Sequence, residues 1–174
     1  MIHGMPLKRL HDGIVLENLG VTIPWLIAEP ELFQLVAQTE FTRSTASWPM
    51  LSCTVLGINL VWGFNFITDS DDRFIGVRYD SFDTVTSNET FAATSTRLLT
   101  ELGTPNCVNQ PDNLRWQDDW ACVANSLRPH TEPDGREILW HSLFVLALSD
   151  NAGDSKRSRA GEPLLRLWRL PSGM

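Results

Sequence analysis

The order of helical and strand-like patterns along the chain constrains its fold more than any other feature. A helical pattern is followed by strand patterns, and a second helical pattern is again followed by strand patterns. Strands that follow one another at such short spacing usually pair as antiparallel neighbours. The sequence therefore predicts an α+β fold with two main helices and an antiparallel sheet of about five to seven strands, in the order α-β-β-β-α-β-β(-β).

Start and stop signals place both helices. Pro30 has the φ angle that suits a first helical turn, and the apolar spacing after it predicts a short helix over residues 30–38. The second helix is predicted over residues 87–102. Residues 86–89 (Thr-Ser-Asn-Glu) fit a capping box before it, and Gly103 is the left-handed residue expected after its end.

Alternating apolar and polar residues predict the strands. The expected segments are residues 51–55, 60–67, 75–79, 114–116, 120–127 and 138–148, with one extended segment at residues 13–25. The strands at 51–55, 60–67 and 75–79 are expected to form a meander. The strand at 138–148 is apolar on both faces, which predicts a central strand covered on both sides.

Charge divides the chain into two parts. The net charge is −7, but residues 1–150 carry −10 and residues 151–174 carry +3. We expect residues 1–150 to form a single domain, and residues 151–174 to be a linker with a basic terminal segment that docks on it. An acidic body repels phosphate backbones and attracts basic surfaces. Nucleic acid is therefore an unfavourable partner, and one basic protein is a favourable one.

Metal, disulfide and membrane chemistry lack sequence signals. The three cysteines (Cys53, Cys107 and Cys122) form no CxxC pair, which argues against a disulfide scaffold and a zinc site. The N-terminus does not resemble a signal peptide, and the longest apolar run, residues 143–148, is far too short to cross a membrane. We expect a cytoplasmic monomer or homodimer with no cofactor, no metal and no membrane partner.

Catalytic motifs are also missing from the sequence. It contains no G-x-S-x-G elbow, P-loop, dinucleotide-binding turn or H-E-x-x-H motif, so an enzyme is the less favoured class. The remaining titratable candidates are His130, Glu132 and Asp134 around one turn, and His141 on a strand. If they converge in a pocket between sheet and helices, the chain is a small-molecule-binding domain or an enzyme. Otherwise they are a solvated turn and a structural histidine.

Carboxylates beside tryptophans form the strongest binding signal. Aromatic anchors surrounded by charge are typical of protein-binding hot spots. The alternative is that the tryptophans pack inward and the aspartates only form turns. The predicted partner-binding residues are Asp69, Asp71, Asp72, Trp116, Asp118, Asp119 and Trp120.

Two stretches are similar to sequences of small acidic bacterial toxin-immunity proteins. They are residues 19–25 (Leu-Gly-Val-Thr-Ile-Pro-Trp) and residues 97–105 (Arg-Leu-Leu-Thr-Glu-Leu-Gly-Thr-Pro), the latter followed by Trp116. The resemblance implies a non-catalytic inhibitor that neutralises a toxin or effector. The element order also resembles the small acidic chaperones of bacterial type III secretion, so a secretion-chaperone-like protein is an alternative.

Overall fold

The computed structural model describes residues 7–37, 53–60, 64–81, 84–110 and 112–148. Within these ranges it contains two α-helices and ten strands, with every strand pair antiparallel, which confirms the α+β class. In chain order the elements are a 3₁₀ turn (Lys8–Leu10), β1 (Gly13–Leu16), β2 (Val21–Pro24), α1 (Glu29–Ala37), β3 (Cys53–Val55), β4 (Ile58–Leu60), β5 (Phe64–Thr68), β6 (Phe74–Ser81), α2 (Thr84–Leu102), β7 (Cys107–Gln110), β8 (Asn113–Gln117), β9 (Ala121–Thr131) and β10 (Glu137–Ala147).

Six strands form the main sheet, in the order β5-β6-β10-β9-β8-β7. The longest strands, β9 and β10, pair along their whole length, and β10 also pairs with β6. The apolar run at residues 138–148 therefore does form a central strand, as predicted, and residues 141–146 are all buried. The connection from β6 to β7 is α2, which carries the chain across the sheet to its far edge.

One face of the main sheet, which we call the helix face, packs against α2, α1 and the small hairpins. Leu98 and Leu102 of α2 join Val145 of β10 in the larger buried cluster. Trp25, which follows β2, stacks on Phe74 with ring centroids 5.5 Å apart. The other face, which we call the opposite face, carries a smaller cluster formed by Cys122, Phe144 and Leu146 with Ile67, Ala124 and Leu148.

The ends of α2 show one error and one success of the sequence prediction. The helix begins at Thr84 rather than at residue 87, so the predicted capping box is wrong. Ser87 lies inside the helix, and its hydroxyl donates to the Ser81 carbonyl at 2.9 Å instead of capping a terminus. The C-terminal signal is confirmed, because Gly103 has φ +75° and its N–H donates to the Leu99 carbonyl at 3.0 Å.

The expected three-strand meander over residues 51–79 is split between two sheets. β3 and β4 form a separate two-stranded sheet, while β5 pairs with β6 in the main sheet. Residues 61–63 of the predicted long strand lie outside the described residues. Alternation alone indicates strands, but it does not show which strand pairs with which.

Two other segments also differ from the prediction. Residues 13–25 contain a hairpin of β1 and β2 rather than one extended segment, with a tight turn whose Gly20 has φ +64°. β7, at the sheet edge, was not predicted. The expected docking of residues 151–174 lies outside the described residues.

Candidate protein-binding site

The turn between β5 and β6 holds three of the predicted carboxylates, and Asp69 organises it. Asp69 Oδ1 accepts the backbone N–H groups of Asp71 and Arg73 at 2.9 Å each, and its Oδ2 accepts Arg73 Nε at 3.0 Å. Burial by itself would raise the pKa of Asp69, but these hydrogen bonds and the Arg73 charge lower it overall. Asp71 and Asp72 are exposed, so their carboxylates remain accessible to a partner.

The turn between β8 and β9 is built in the same way around Asp118. Its Oδ1 accepts the backbone N–H groups of Trp120 and Ala121 at 2.8 Å each, and its Oδ2 lies 2.9 Å from His11 Nε2. Burial would raise the pKa of Asp118, but the His11 contact and the two backbone bonds lower it overall. Asp119 is exposed, and the Trp120 side chain is 56% exposed. An indole this exposed is available as an anchor for a partner.

Strand register brings the two turns to the same end of the sheet. Ala147, at the end of β10, pairs with Ala121 at the start of β9, and Leu146 pairs with Gly76 near the start of β6. The two turns therefore flank the end of β10. Three strand spacings separate them, which is about 14 Å. We call this region the acidic end; it comprises Asp69, Asp71, Asp72, Asp118, Asp119 and Trp120.

The N-terminus of α1 extends the acidic end, although no signal in the sequence indicates this contact. The Glu29 N–H donates to the Asp72 carbonyl at 2.9 Å, and Ala28 forms an isolated β-bridge with Arg73. Glu29 and Glu31 occupy the first turn of α1, where negative charge complements the helix dipole. The start of α1 thus brings Glu29 beside a turn that already carries three carboxylates, although Arg73 offsets part of this charge.

The structure removes Trp116 from the predicted partner-binding set. Its side chain is 0% exposed, and its indole Nε1 donates to the Gly103 carbonyl at 2.9 Å, which ties β8 to the end of α2. Strand alternation turns Trp116 towards the helix face, whereas Trp120 lies in the turn beyond the strand. Trp116 therefore packs inward, as the alternative interpretation allowed, and of these two indoles only that of Trp120 faces solvent.

The histidine and carboxylate candidates do not converge. Glu132 forms an ion pair with Arg136 within the β9–β10 turn, and Asp134 accepts the Arg136 backbone N–H at 3.0 Å. His130 is exposed and lies edge-on to Trp140, with ring centroids 5.4 Å apart. This turn lies at the end of the sheet away from the acidic end.

His141 is instead the centre of a buried polar network on the helix face. Its Nε2 lies 2.7 Å from Asn125 Oδ1 and its Nδ1 lies 3.0 Å from Thr90 Oγ1, while Asn125 Nδ2 donates to Ser95 Oγ at 2.9 Å. Burial lowers the pKa of His141 to about 4, so the ring is neutral at pH 7. In a neutral ring that donates from Nε2 to Asn125, Nδ1 is an acceptor for the Thr90 hydroxyl, which also lies 2.7 Å from the Thr86 carbonyl. The network joins α2 to β9 and β10.

A cavity of about 250 Å³ lies beside this network, between α2, β6 and the β3–β4 turn. Thr90 reaches both the cavity and His141, and Tyr79 lines the cavity while contacting the imidazole edge-on. Arg97 also lines it, but its guanidinium pairs with Glu101 at 2.8 Å. The cavity offers hydroxyl groups and apolar walls.

The described residues contain no cluster of three or more metal-ligating side chains. In the same part of the chain, no helix combines the length and apolarity that a membrane crossing requires. Comparison with known proteins finds no matching family model, no matching curated protein and no matching solved structure. The similarity to immunity proteins therefore stays a prediction.

Proposed function

We propose that this protein is a non-catalytic binding module that neutralises one basic protein partner through its acidic end, as an immunity-type inhibitor does. The observation that carries the proposal is the strand register, because it places two acidic turns on either side of β10 with exposed Trp120 among them. Covering a partner's working surface requires complementary shape and charge but no reactive group.

The turns are suited to this role because they hold their carboxylates in place before a partner arrives. Asp69 and Asp118 each accept two backbone N–H groups, so the exposed carboxylates of Asp71, Asp72 and Asp119 are carried on ordered turns. Ordering a loop on binding costs free energy, and a preformed loop avoids most of that cost.

Charge and the indole are expected to contribute to different rates. The acidic end attracts a basic partner at long range, which raises the association rate and weakens with salt. Trp120 acts only at contact, where burying an indole slows dissociation. The contributions of charge and of Trp120 can therefore be separated by measuring the association rate and the dissociation rate.

The first test is capture of partners from the native host with immobilised full-length protein. The test variant reverses three exposed carboxylates at the acidic end, Asp71→Lys, Asp72→Lys and Asp119→Lys. The matched control reverses three exposed carboxylates near the other end of the sheet, Glu89→Lys, Asp112→Lys and Glu137→Lys, and changes net charge equally. A partner lost by the test variant and kept by the control supports the proposal. A partner retained by both variants contradicts it.

The second test measures binding rates with the captured partner. We expect the reversed acidic end to lower the association rate most strongly at low salt. Trp120→Ala is expected to raise the dissociation rate on the order of tenfold or more, with the association rate nearly unchanged. An unchanged dissociation rate would remove Trp120 from the site.

The cavity beside Thr90 supports a second candidate function, which is binding of a small, mainly apolar molecule with a hydroxyl or carbonyl group. Native mass spectrometry of the purified full-length protein tests this candidate. A bound small molecule that is lost in a Thr94→Leu variant, which fills the cavity from α2, would favour it over the first proposal. The Thr96→Leu variant, at an exposed position of the same helix, is the matched control.

A further inference from the structure

The opposite face of the main sheet is also buried along its centre, although less completely than the helix face. Phe144 and Leu146 are each 8% exposed, and Cys122 is 2% exposed. The described residues that join them, Ile67, Ala124 and Leu148, belong to the sheet or directly follow it. All buried apolar side chains of α1, α2 and the small hairpins belong to the other cluster.

A charged network on the opposite face is shielded as well. Asp80 Oδ1 accepts Trp140 Nε1 and Ser142 Oγ at 2.8 Å each, and Asp80 Oδ2 pairs with Arg78 Nε. The Arg78 guanidinium carbon lies 5.3 Å from the Phe144 ring centroid and 5.5 Å from the Trp140 ring centroid. Asp80 is 9% exposed and Ser142 is 2% exposed. A sheet buries a face by packing a second layer against it, so we expect a further segment of chain to cover the opposite face.

The chain after β10 begins on this face. Leu148 packs against the Phe144 and Leu146 cluster, and its N–H donates to the Trp120 carbonyl at 2.7 Å. In contrast, residues 1–6 lead into Leu7, which is buried in the helix-face cluster. Residues 38–52 connect α1 to β3, and both elements also pack on the helix face.

The C-terminal segment has the composition that such a cover needs. Residues 149–174 are 26 residues long, and residues 162–170 carry five large apolar side chains: Leu164, Leu165, Leu167, Trp168 and Leu170. The 13 residues before this stretch span up to about 45 Å when extended, which exceeds the length of β10. Residues 151–174 carry +3 against −10 for the rest of the chain, which favours their return to the domain, although the opposite face itself carries Arg78, Arg115 and Arg128 against Asp80.

We propose that residues 149–174 form the second layer of this fold, with Leu164, Leu167 and Trp168 docked on the opposite face over Phe144, Leu146 and Cys122. The acidic end would then lie beside the start of this docked segment. The proposal is independent of the proposed partner-binding function, because it concerns a different surface of the sheet.

Cys122 provides a direct reporter in the full-length protein. Cys122 lies under the proposed cover and Cys107 is exposed, so peptide mass spectrometry after maleimide labelling measures one protected and one reference thiol. The test variant replaces three apolar side chains, Leu164→Asp, Leu167→Asp and Trp168→Asp. The matched control places three aspartates in the polar linker, Asn151→Asp, Ser155→Asp and Ser158→Asp, with the same change in net charge.

We expect Cys122 to label at least about tenfold faster in the test variant, with Cys107 labelling and circular dichroism unchanged. Burial raises the pKa of Cys122, so uncovering it also increases its reactive thiolate fraction and acts in the same direction. The linker variant is expected to behave like the wild type. Protection of Cys122 that persists in a folded test variant would overturn the proposal, because another segment would then cover the face.

Photo-crosslinking keeps the proposal testable if the aspartate variant does not fold. A benzophenone amino acid replaces Leu167 in the otherwise unchanged full-length chain, and mass spectrometry locates the product. We expect intramolecular cross-links to residues 121–124 or 142–146. Cross-links to α2, or products joining two copies of the chain, would contradict docking on the opposite face.

Discussion

The two faces of the main sheet both bury a polar network, but one network is neutral and the other is charged. His141 and Ser142 are adjacent in β10, and strand alternation sends them to opposite faces. His141 joins Asn125 and Thr90 on the helix face, while Ser142 joins the ion pair of Asp80 and Arg78 on the opposite face.

The two faces compensate the free-energy cost of burying polar groups in different ways. On the helix face, burial lowers the pKa of His141 to about 4, so the ring loses its charge and neutral partners suffice. On the opposite face, the Arg78 guanidinium is paired with the Asp80 carboxylate, which also accepts from Trp140 and Ser142. A neutral network is expected to tolerate the loss of one partner better than an ion pair does.

Breaking the ion pair is therefore expected to have the largest effect. Asp80→Ala leaves the guanidinium of Arg78, whose side chain is only 16% exposed, without its counter-charge and removes the acceptor for Trp140 and Ser142. We expect a loss of about 3–5 kcal/mol of unfolding free energy, measured by urea denaturation at pH 7. A loss below about 1 kcal/mol would show that solvent reaches Arg78 and that this face is not truly covered.

Lowering the pH is expected to reduce stability mainly through His141 on the helix face. His141 has a pKa of about 4 in the folded protein against an ordinary value of 6.5, so between these values the unfolded chain binds more protons. Its contribution to stability is complete above pH 6.5 and is lost as the pH falls towards 4. The expected loss is about 3 kcal/mol.

The His141→Gln variant isolates this contribution of the histidine. Glutamine does not titrate, so the stability of the variant is expected to change much less between pH 6.5 and 4 in urea denaturation series. Parallel pH profiles for the wild type and the variant would show that the pKa of His141 is not lowered in the folded protein.

Loss of one neutral partner is expected to cost less. Thr90→Val keeps the shape of the side chain but removes the hydroxyl that His141 Nδ1 accepts, so we expect a loss of about 1–2 kcal/mol. Thr96→Val is the matched control, since its hydroxyl bonds to the Ala92 carbonyl on the exposed side of α2. Equal losses in the two variants, measured by urea denaturation, would indicate that the Thr90–His141 bond adds nothing.

The smallest effect is expected for Ser142→Ala, which should lower the unfolding free energy by about 1 kcal/mol. Asp80 still pairs with Arg78 and accepts from Trp140 when the serine hydroxyl is absent. A double-mutant cycle with Asp80→Ala checks the assignment. Ser142→Ala should cost little once Asp80 is absent. An undiminished cost in that background would mean that the serine stabilises the sheet by another route.

Local chemistry explains which features the sequence predicts well. Gly103 ends α2 because a left-handed residue is needed there, and a run of apolar residues on both faces marks β10 as central. The Glu-Pro-Asp-Gly turn at residues 132–135 also lies between β9 and β10, as expected. These signals depend on neighbours within a few residues.

The candidate site was predictable only in part, because it depends on contacts between distant residues. The sequence marked Asp71, Asp72, Asp119 and Trp120 as possible contact residues, and all four are exposed. It also marked Trp116, which strand alternation directs into the core. The pairing of β10 with both β6 and β9 places the two turns at the same end of the main sheet.

The sequence by itself determined the α+β class, the C-terminal end of α2, the central strand β10 and the acidic character of residues 1–150. Each of these follows from local preference, periodicity or charge. Tertiary structure decided which carboxylates lie together, which tryptophan faces solvent and how His141 loses its charge. Register and burial set these properties, and both arise only when segments distant in sequence pack against each other.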